Sequence, residues 1–187
     1  MIESINEYLD NLTEANEKIR SANELANKDT LTGIRNKTAY DNEVQKIEFQ
    51  IAQENFHKFG IAMVDLNYLK LINDNFGHDK GNIAIKKICN IVCVTFKHSP
   101  VFRIGGDEFV VILENDDYDN VNELIKQFRN TLEAISKDEA LEPWEKVSAA
   151  IGWTLFDKTS DLGVQNVFKR ADNLMYEDKK RMKATRD

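Results

Sequence analysis

Three carboxylates stand where chemistry is possible. Residues 102–109 read FRIGGDEF, and the apolar run continues to Leu113. Gly105 and Gly106 separate two short apolar stretches, and Asp107 and Glu108 follow them directly. The third carboxylate, Asp65, closes the apolar run FGIAMVDL (59–66). An acid at the end of a buried strand sits at the rim of a sheet, where ligands collect. If the first strand lies beside the hairpin, Asp65 and Asp107 meet. Carboxylates from two strand ends suit Mg²⁺, which takes few protein oxygens and leaves room for phosphate and water. Two such ions can activate an attacking oxygen and stabilise a leaving one. Glycines without side chains allow close approach of a ligand. Taken alone, the same residues also describe a solvated hairpin tip.

The elements that must position these acids read as follows. Residues 2–26 carry Ile2, Ile5, Leu9, Leu12, Asn16, Ile19, Asn23 and Ala26 in steps of three and four. With Ile2 at position a, both asparagines fall at a, a pattern that favours a parallel dimer in fixed register. The alternative is an amphipathic helix packed on its own domain. A stalk that begins at residue 1 suggests an upstream segment. A polar turn over 27–40, a helix over 36–55 and the strand 59–66 follow. Residues 67–82 begin at helical spacing and break at Gly77, and a helix covers 83–97. VFRI and FVVIL form a hairpin, 120–136 a helix, 147–156 a strand and 164–183 a last helix. The alternation predicts an α/β or α+β domain with helices packed on one sheet.

At 187 residues the chain suffices for one domain with a real core. No apolar run approaches the ~20 residues of a membrane helix, and the polar, acidic start is not a signal peptide. A net charge of −7 argues against a general nucleic-acid surface; an anionic ligand needs a local basic cluster or bound metal. Cys89 and Cys93 lie four apart in a helical pattern, and read as reduced core residues of an intracellular protein, not a disulfide.

Four segments together resemble the GGDEF family, the diguanylate cyclases: DTLTGIRNK (29–37), DLNYLKLINDNFGHDKGN (65–82), RIGGDEF (103–109) and RADNLMYEDKK (170–180). They lie in family order and span about residues 29–183. The resemblance implies a nucleotidyl-cyclase or polymerase-palm-like fold, with a central, mostly antiparallel sheet flanked by helices. With the heptad seam, it divides the chain into a helical stalk over 1–28 and a catalytic domain over 29–187. It further implies condensation of two GTP into cyclic di-GMP and pyrophosphate. Each protomer of a homodimer would hold one GTP, with Mg²⁺, or alternatively Mn²⁺, as cofactor.

By the same resemblance, Asp65 holds metal, with the Leu66 carbonyl assisting. Asp107 ligates metal and deprotonates the 3′-hydroxyl, and Glu108 completes the metal shell. Lys70 and Lys179 contact phosphate, Asn73 contacts guanine and His78 lies near the nucleotide. Gly105 and Gly106 line the substrate. Lys183 stands where arginine is usual, keeping the charge without the bidentate fork. The expected setting is cytoplasmic, downstream of a sensor outside this chain.

Three departures qualify the pattern. Asn82 replaces an aspartate that accepts from guanine N1–H and N2–H₂; an amide offers one acceptor and a competing donor. A lost hydrogen bond to a buried partner costs about 1–3 kcal/mol. Asn82 therefore points either to weaker GTP binding or to relaxed base choice and a mixed cyclic dinucleotide. With Asn73 retained, GTP is the expected main substrate. FKHS (96–99) stands where the family's R-x-x-D product-inhibition motif belongs, so no feedback site is expected. Asn67 and Leu69 replace a usual aspartate and phenylalanine; Leu69 keeps the apolar character. The competing class is a GGDEF fold that binds GTP or dimerises without turnover.

Overall fold

The computed structural model describes residues 2–54 and 58–184. Its centre is β1 (Gly60–Leu66), buried along its whole length. A strand buried on both faces reads as a continuous apolar run rather than an alternation. β1 lies between β3 (Glu108–Leu113) and β4 (Ala149–Leu155), antiparallel to both, and β2 (Val101–Arg103) pairs outside β3. The order among the described residues is β2-β3-β1-β4. The fold is thus α+β, with an antiparallel sheet flanked by helices.

Strand alternation divides the core in two. Ala62, Val64 and Leu66 of β1 and Phe109, Val111 and Leu113 of β3 face one layer of helices. That layer holds α4 (His78–Thr95) and α6 (Val121–Lys137), the latter through Val121, Ile125, Phe128 and Leu132. Ile61, Met63, Val110 and Ile112 face the other layer, α2 (Lys37–Ala52) and α7 (Val164–Ala184). Spacings of three and four set the buried stripe of α7: Val164, Val167, Ala171 and Met175.

Both sheet edges are covered. On the β2 side, Arg35 bridges to Lys28 and to Phe102. On the β4 side, α7 lies directly against the strand. A Cβ on Gly152 would stand 2.0 Å from the backbone nitrogen of Met175 and 2.4 Å from the carbonyl of Ala171. Only glycine admits that approach. Asp178 then accepts the Ile151 N–H at 3.0 Å, a backbone donor that the sheet leaves over at its edge. Arg129 of α6 and Arg181 donate to the same carboxylate at 3.0 and 2.9 Å.

Most boundaries fall within a few residues of those expected, but α4 begins at His78, five residues before the expected start at 83. A short helix, α5 (Asn115–Asp119), and a 3₁₀ turn at Pro143–Glu145 go beyond the elements the sequence pattern predicts. In the 3₁₀ turn, Trp144 packs edge-on against Phe76 (5.3 Å) and under Lys80 (4.3 Å). The first helix, α1 (Ile2–Ala26), is continuous. Its residues 11–26 are all exposed, including seam residues Leu12 (42%) and Ile19 (59%). They do not pack on the chain's own domain. The seam residues Ile2, Ile5 and Leu9 lie outside the described side chains. No described helix is long and apolar enough to cross a membrane.

Candidate functional site

β1 and β3 pair so that Asp65 stands directly opposite Glu108. Residues opposite each other in an antiparallel pair share a face, with Cβ atoms about 5 Å apart, and like charges there repel. The Leu66 N–H donates to the Asp107 carbonyl at 2.9 Å, which extends the ladder into the turn. The expected meeting of Asp65 with the hairpin acids is therefore a consequence of register.

The electrostatics follow. Burial pushes the Asp65 carboxyl up; Lys179 opposes this and Asp107 adds to it. Glu108 is also raised, by burial first and then by Asp65, Asp107 and Asp172. Among the described residues no cluster of three His, Cys, Asp or Glu side chains is closed tightly enough to hold an ion. The cation present is the Lys179 ammonium, 2.6 Å from Asp65 Oδ1. Lys179 lies one helical turn past Met175, so the apolar stripe of α7 delivers it there. Lys183, exposed one turn further on, also lowers the Asp65 carboxyl through space. Facing carboxylates that resist ionising beside one another form a donor set suited to a hard divalent cation.

The turn is held from behind. Arg103 Nη1 donates to both carboxylate oxygens of Asp29 (2.9 and 3.1 Å), and Nη2 donates to the Gly106 carbonyl (2.7 Å). The Arg103 N–H donates to the Arg35 carbonyl. Asp29 Oδ1 also accepts from the Thr32 N–H and hydroxyl, at 2.8 and 2.6 Å. Burial pushes Asp29 up, but the Thr32 and Arg103 hydrogen bonds outweigh it and hold the carboxyl below its ordinary value. Gly105 gives space within the protein itself: a Cβ there would stand 2.6 Å from a Glu108 carboxylate oxygen. A Cβ on Gly106 would meet nothing within 4 Å.

The remaining expected residues lie on α3 (Leu69–Phe76) and the start of α4, on either side of Gly77 with its positive φ of 86°. Lys70 and His78 are exposed, whereas Asn73 and Asn82 are half-buried. Asn73 rests on Gly81, where a Cβ would come within 1.9 Å of Asn73 Oδ1. Asn82 is the next residue along α4. Asn67, for which the sequence suggests no role, donates to the Ser148 hydroxyl at 3.1 Å. Sequence reasoning missed Asp29, Arg103, Asp172 and Asp178. All four lie inside the quoted motifs, Asp172 and Asp178 in RADNLMYEDKK (170–180), as acids in an otherwise regular amphipathic helix.

Comparison with known proteins agrees with this geometry. The family described as "Diguanylate cyclase, GGDEF domain" matches residues 26–185. The chain is 31% identical over 162 residues to diguanylate cyclase DgcP of Escherichia coli, covering 84% of this chain and 46% of that protein. It is 29% identical over 164 residues to the probable diguanylate cyclase DgcT of the same organism, covering 86% and 35%. The chain thus spans less than half the length of either relative. Among solved structures, the coiled coil and GGDEF domain of DgcB from Caulobacter crescentus, in complex with c-di-GMP, superposes with a TM-score of 0.78. Identity is 18%, over 94% of this chain and 92% of that one. Diguanylate cyclase SiaD from Pseudomonas aeruginosa, in complex with its activator SiaC, gives 0.70 at 19% identity, over 96% and 68%. With its sheet order, its turn of two glycines and two acids, and a family match over most of its length, the chain belongs to the GGDEF domain family of diguanylate cyclases.

Proposed function

We propose that the chain is a Mg²⁺-dependent diguanylate cyclase domain over 29–187, carried on a dimerising helical stalk over 1–28. The observation that carries this reading is the opposition of Asp65 and Glu108 across β1 and β3, with Asp107 beside them. Asp65, Asp107, Glu108 and the Leu66 carbonyl would hold Mg²⁺, which supplies charge stabilisation for phosphoryl transfer when bound. Lys179 sits on the carboxylate that the ion would use, and so exchanges its partner from Asp65 to substrate phosphate as the site fills. Lys70 and Lys183 add exposed positive charge around the same end of the sheet. Asp107 accepts the proton of the attacking 3′-hydroxyl, a role geometry permits only when a second protomer presents its nucleotide in line. The exposed seam of α1 supports that pairing: Leu12 and Ile19 bury apolar surface only against another helix.

Asn73 and Asn82 read the base, with His78 nearby. In this reading one guanine edge would be shared between the two amides. The product is cyclic di-GMP, and an amide in place of a carboxylate at Asn82 weakens rather than reverses the preference for guanine. Incubation with GTP, ATP or both, with Mg²⁺, followed by mass spectrometry of products, tests this directly. Cyclic di-GMP that disappears in Asp107→Ala supports the reading. A faster product from ATP, or none from GTP in a covalently enforced dimer, overturns it in favour of altered base choice or a binding module.

A further inference from the structure

A cavity of about 310 Å³ lies between the end of α4, the strand β2 and the segment that joins stalk to domain. Ile34, Phe96 and Val101 give it an apolar floor, and Lys28, Arg35 and Lys97 stand around it. No acidic side chain lines it. In a chain whose 32 acids outnumber its 25 lysines and arginines, three cations facing one cavity without an acid is a local reversal of sign. All three are exposed, and among the described residues none forms an ion pair. Nearby acids are turned elsewhere. Asp29, beside Lys28, is engaged by Arg103 and Thr32, and Asp117 accepts the His98 N–H at 3.0 Å.

Backbone contacts fix the walls before any ligand arrives. Arg35 bridges to Lys28 on one side and to Phe102 on the other. Asn36 Nδ2 donates to the Lys28 carbonyl at 3.1 Å. The Arg35 guanidinium lies 5.7 Å from the centre of the Phe102 ring. Opposite, the Phe96 N–H closes the end of α4 on the Val92 carbonyl, and the Ser99 N–H donates back to Phe96, so Lys97 stands on a closed turn.

We propose that this cavity binds a small organic phosphate, with one ring on the apolar floor and the phosphate among Lys28, Arg35 and Lys97. A cleft of one sign with low-dielectric walls focuses the field and concentrates counter-ions. The arginine offers a planar fork to phosphate oxygens and the lysines act as point charges. An apolar lining with a few convergent polar groups is the usual build of a small-molecule site, and this volume is at the small end of that range. It suits one ring and one phosphate rather than a dinucleotide. Unlike the Asp65 cluster, where acids call for a metal, the positive charge here comes from side chains alone.

The three cations belong to different elements. Lys28 ends the stalk, Arg35 lies in the loop that pairs with β2, and Lys97 follows α4. A phosphate held by all three ties the stalk end to the domain. Any effect of this on turnover rests on the function proposed above, but binding does not, and the test reads binding alone.

Protein labelled with ¹⁵N, without nucleotide or metal, is titrated with phenyl phosphate near pH 7.5, where the phosphate is mostly a dianion, and amide shifts are followed. Saturable shifts are expected at residues 28, 33–35, 97–99 and 101, which surround the cavity. Affinity should fall at least about tenfold between low and high salt. Arg35→Gln and Lys97→Gln should each weaken binding at least about fivefold, the loss of one charge-assisted contact. Lys179→Gln should leave it unchanged, and inorganic phosphate should bind at least about fivefold more weakly than the phenyl ester, because it leaves the floor empty. Shifts confined to Lys70, Lys179 and Lys183, equal affinity in Arg35→Gln and Lys97→Gln, or no saturation overturn the proposal. Equal binding of inorganic phosphate overturns the role of the ring, and tighter binding of cyclic di-GMP at the same amides overturns the single-ring assignment.

Discussion

Asp65 and Asp178 are buried to nearly the same degree, 6% and 7% exposed, and α7 meets both. Their surroundings differ in kind. Asp178 accepts from a backbone N–H and two guanidinium groups, so the protein answers its charge from three directions. Asp65 has one ammonium at 2.6 Å, and burial together with neighbouring Asp107 pushes it up. One carboxylate is finished by folding. The other retains demand for positive charge, and two acids beside it share that demand. Burial alone does not mark a functional acid; burial with incomplete compensation does.

Substitutions at the two positions should separate these roles. Asp65→Asn removes the demand without changing shape. Product formation should fall at least about 100-fold, the rate equivalent of several kcal/mol, while the melting temperature holds or rises. A nearly normal rate in Asp65→Asn would place the metal elsewhere and collapse the contrast. Asp178→Ala should do the converse. It orphans the Ile151 N–H and releases two arginines that are themselves exposed, so the cost is about 2–3 kcal/mol. Denaturant melts should show that loss, with activity per folded molecule changed far less.

Asp29 lies between the two cases, since it is satisfied but next to the turn. Asp29→Asn weakens the bonds from Arg103 and Thr32, at a cost of about 2 kcal/mol. Its carboxyl is held low in the fold, so its stabilisation is complete above the ordinary carboxylate value and is lost as pH falls toward the folded value. Wild type should therefore lose its advantage over Asp29→Asn below about pH 4, measured by urea midpoints across pH. Glu108→Gln gives the smallest effect. Glu108 is raised in the fold, so its contribution is greatest below the ordinary carboxylate value and fades as pH rises through the folded value. In chelator at pH 7 the glutamine variant should be more stable by about 0.5 kcal/mol after solvent screening. That difference should vanish on acidification, and a less stable variant would mean that Glu108 is already compensated.

Much of this arrangement was legible in residue order. The unbroken apolar run ending at Asp65 reads as a buried strand, and its place beside the hairpin was a condition that the β1–β3 register meets. The stripe through Met175 likewise points Lys179 at the sheet. Asp178 was not legible, because its partner is a backbone donor left over at a sheet edge, and edges exist only after strands are ordered. Arg103 and Asp29 are 74 positions apart, and only the bridge from Arg35 to β2 shows that they meet. The seam of α1 was readable as a pattern. The exposure of residues 11–26 is a property of packing, which the pattern alone does not fix.

Gly152 has a consequence beyond edge protection. With Met175 nitrogen at 2.0 Å and Ala171 oxygen at 2.4 Å from any added Cβ, the opposing atoms are backbone and cannot rotate aside. The glycine acts as a spacer of zero thickness that sets how far α7 stands from the sheet. Lys179 projects from the same rigid rod four residues beyond Met175, about 6 Å along its axis. A single methyl at position 152 would lift that rod and turn the direct contact of Lys179 with Asp65 into a longer reach. The tolerance of the lysine's position is thus written into a residue that carries no functional group.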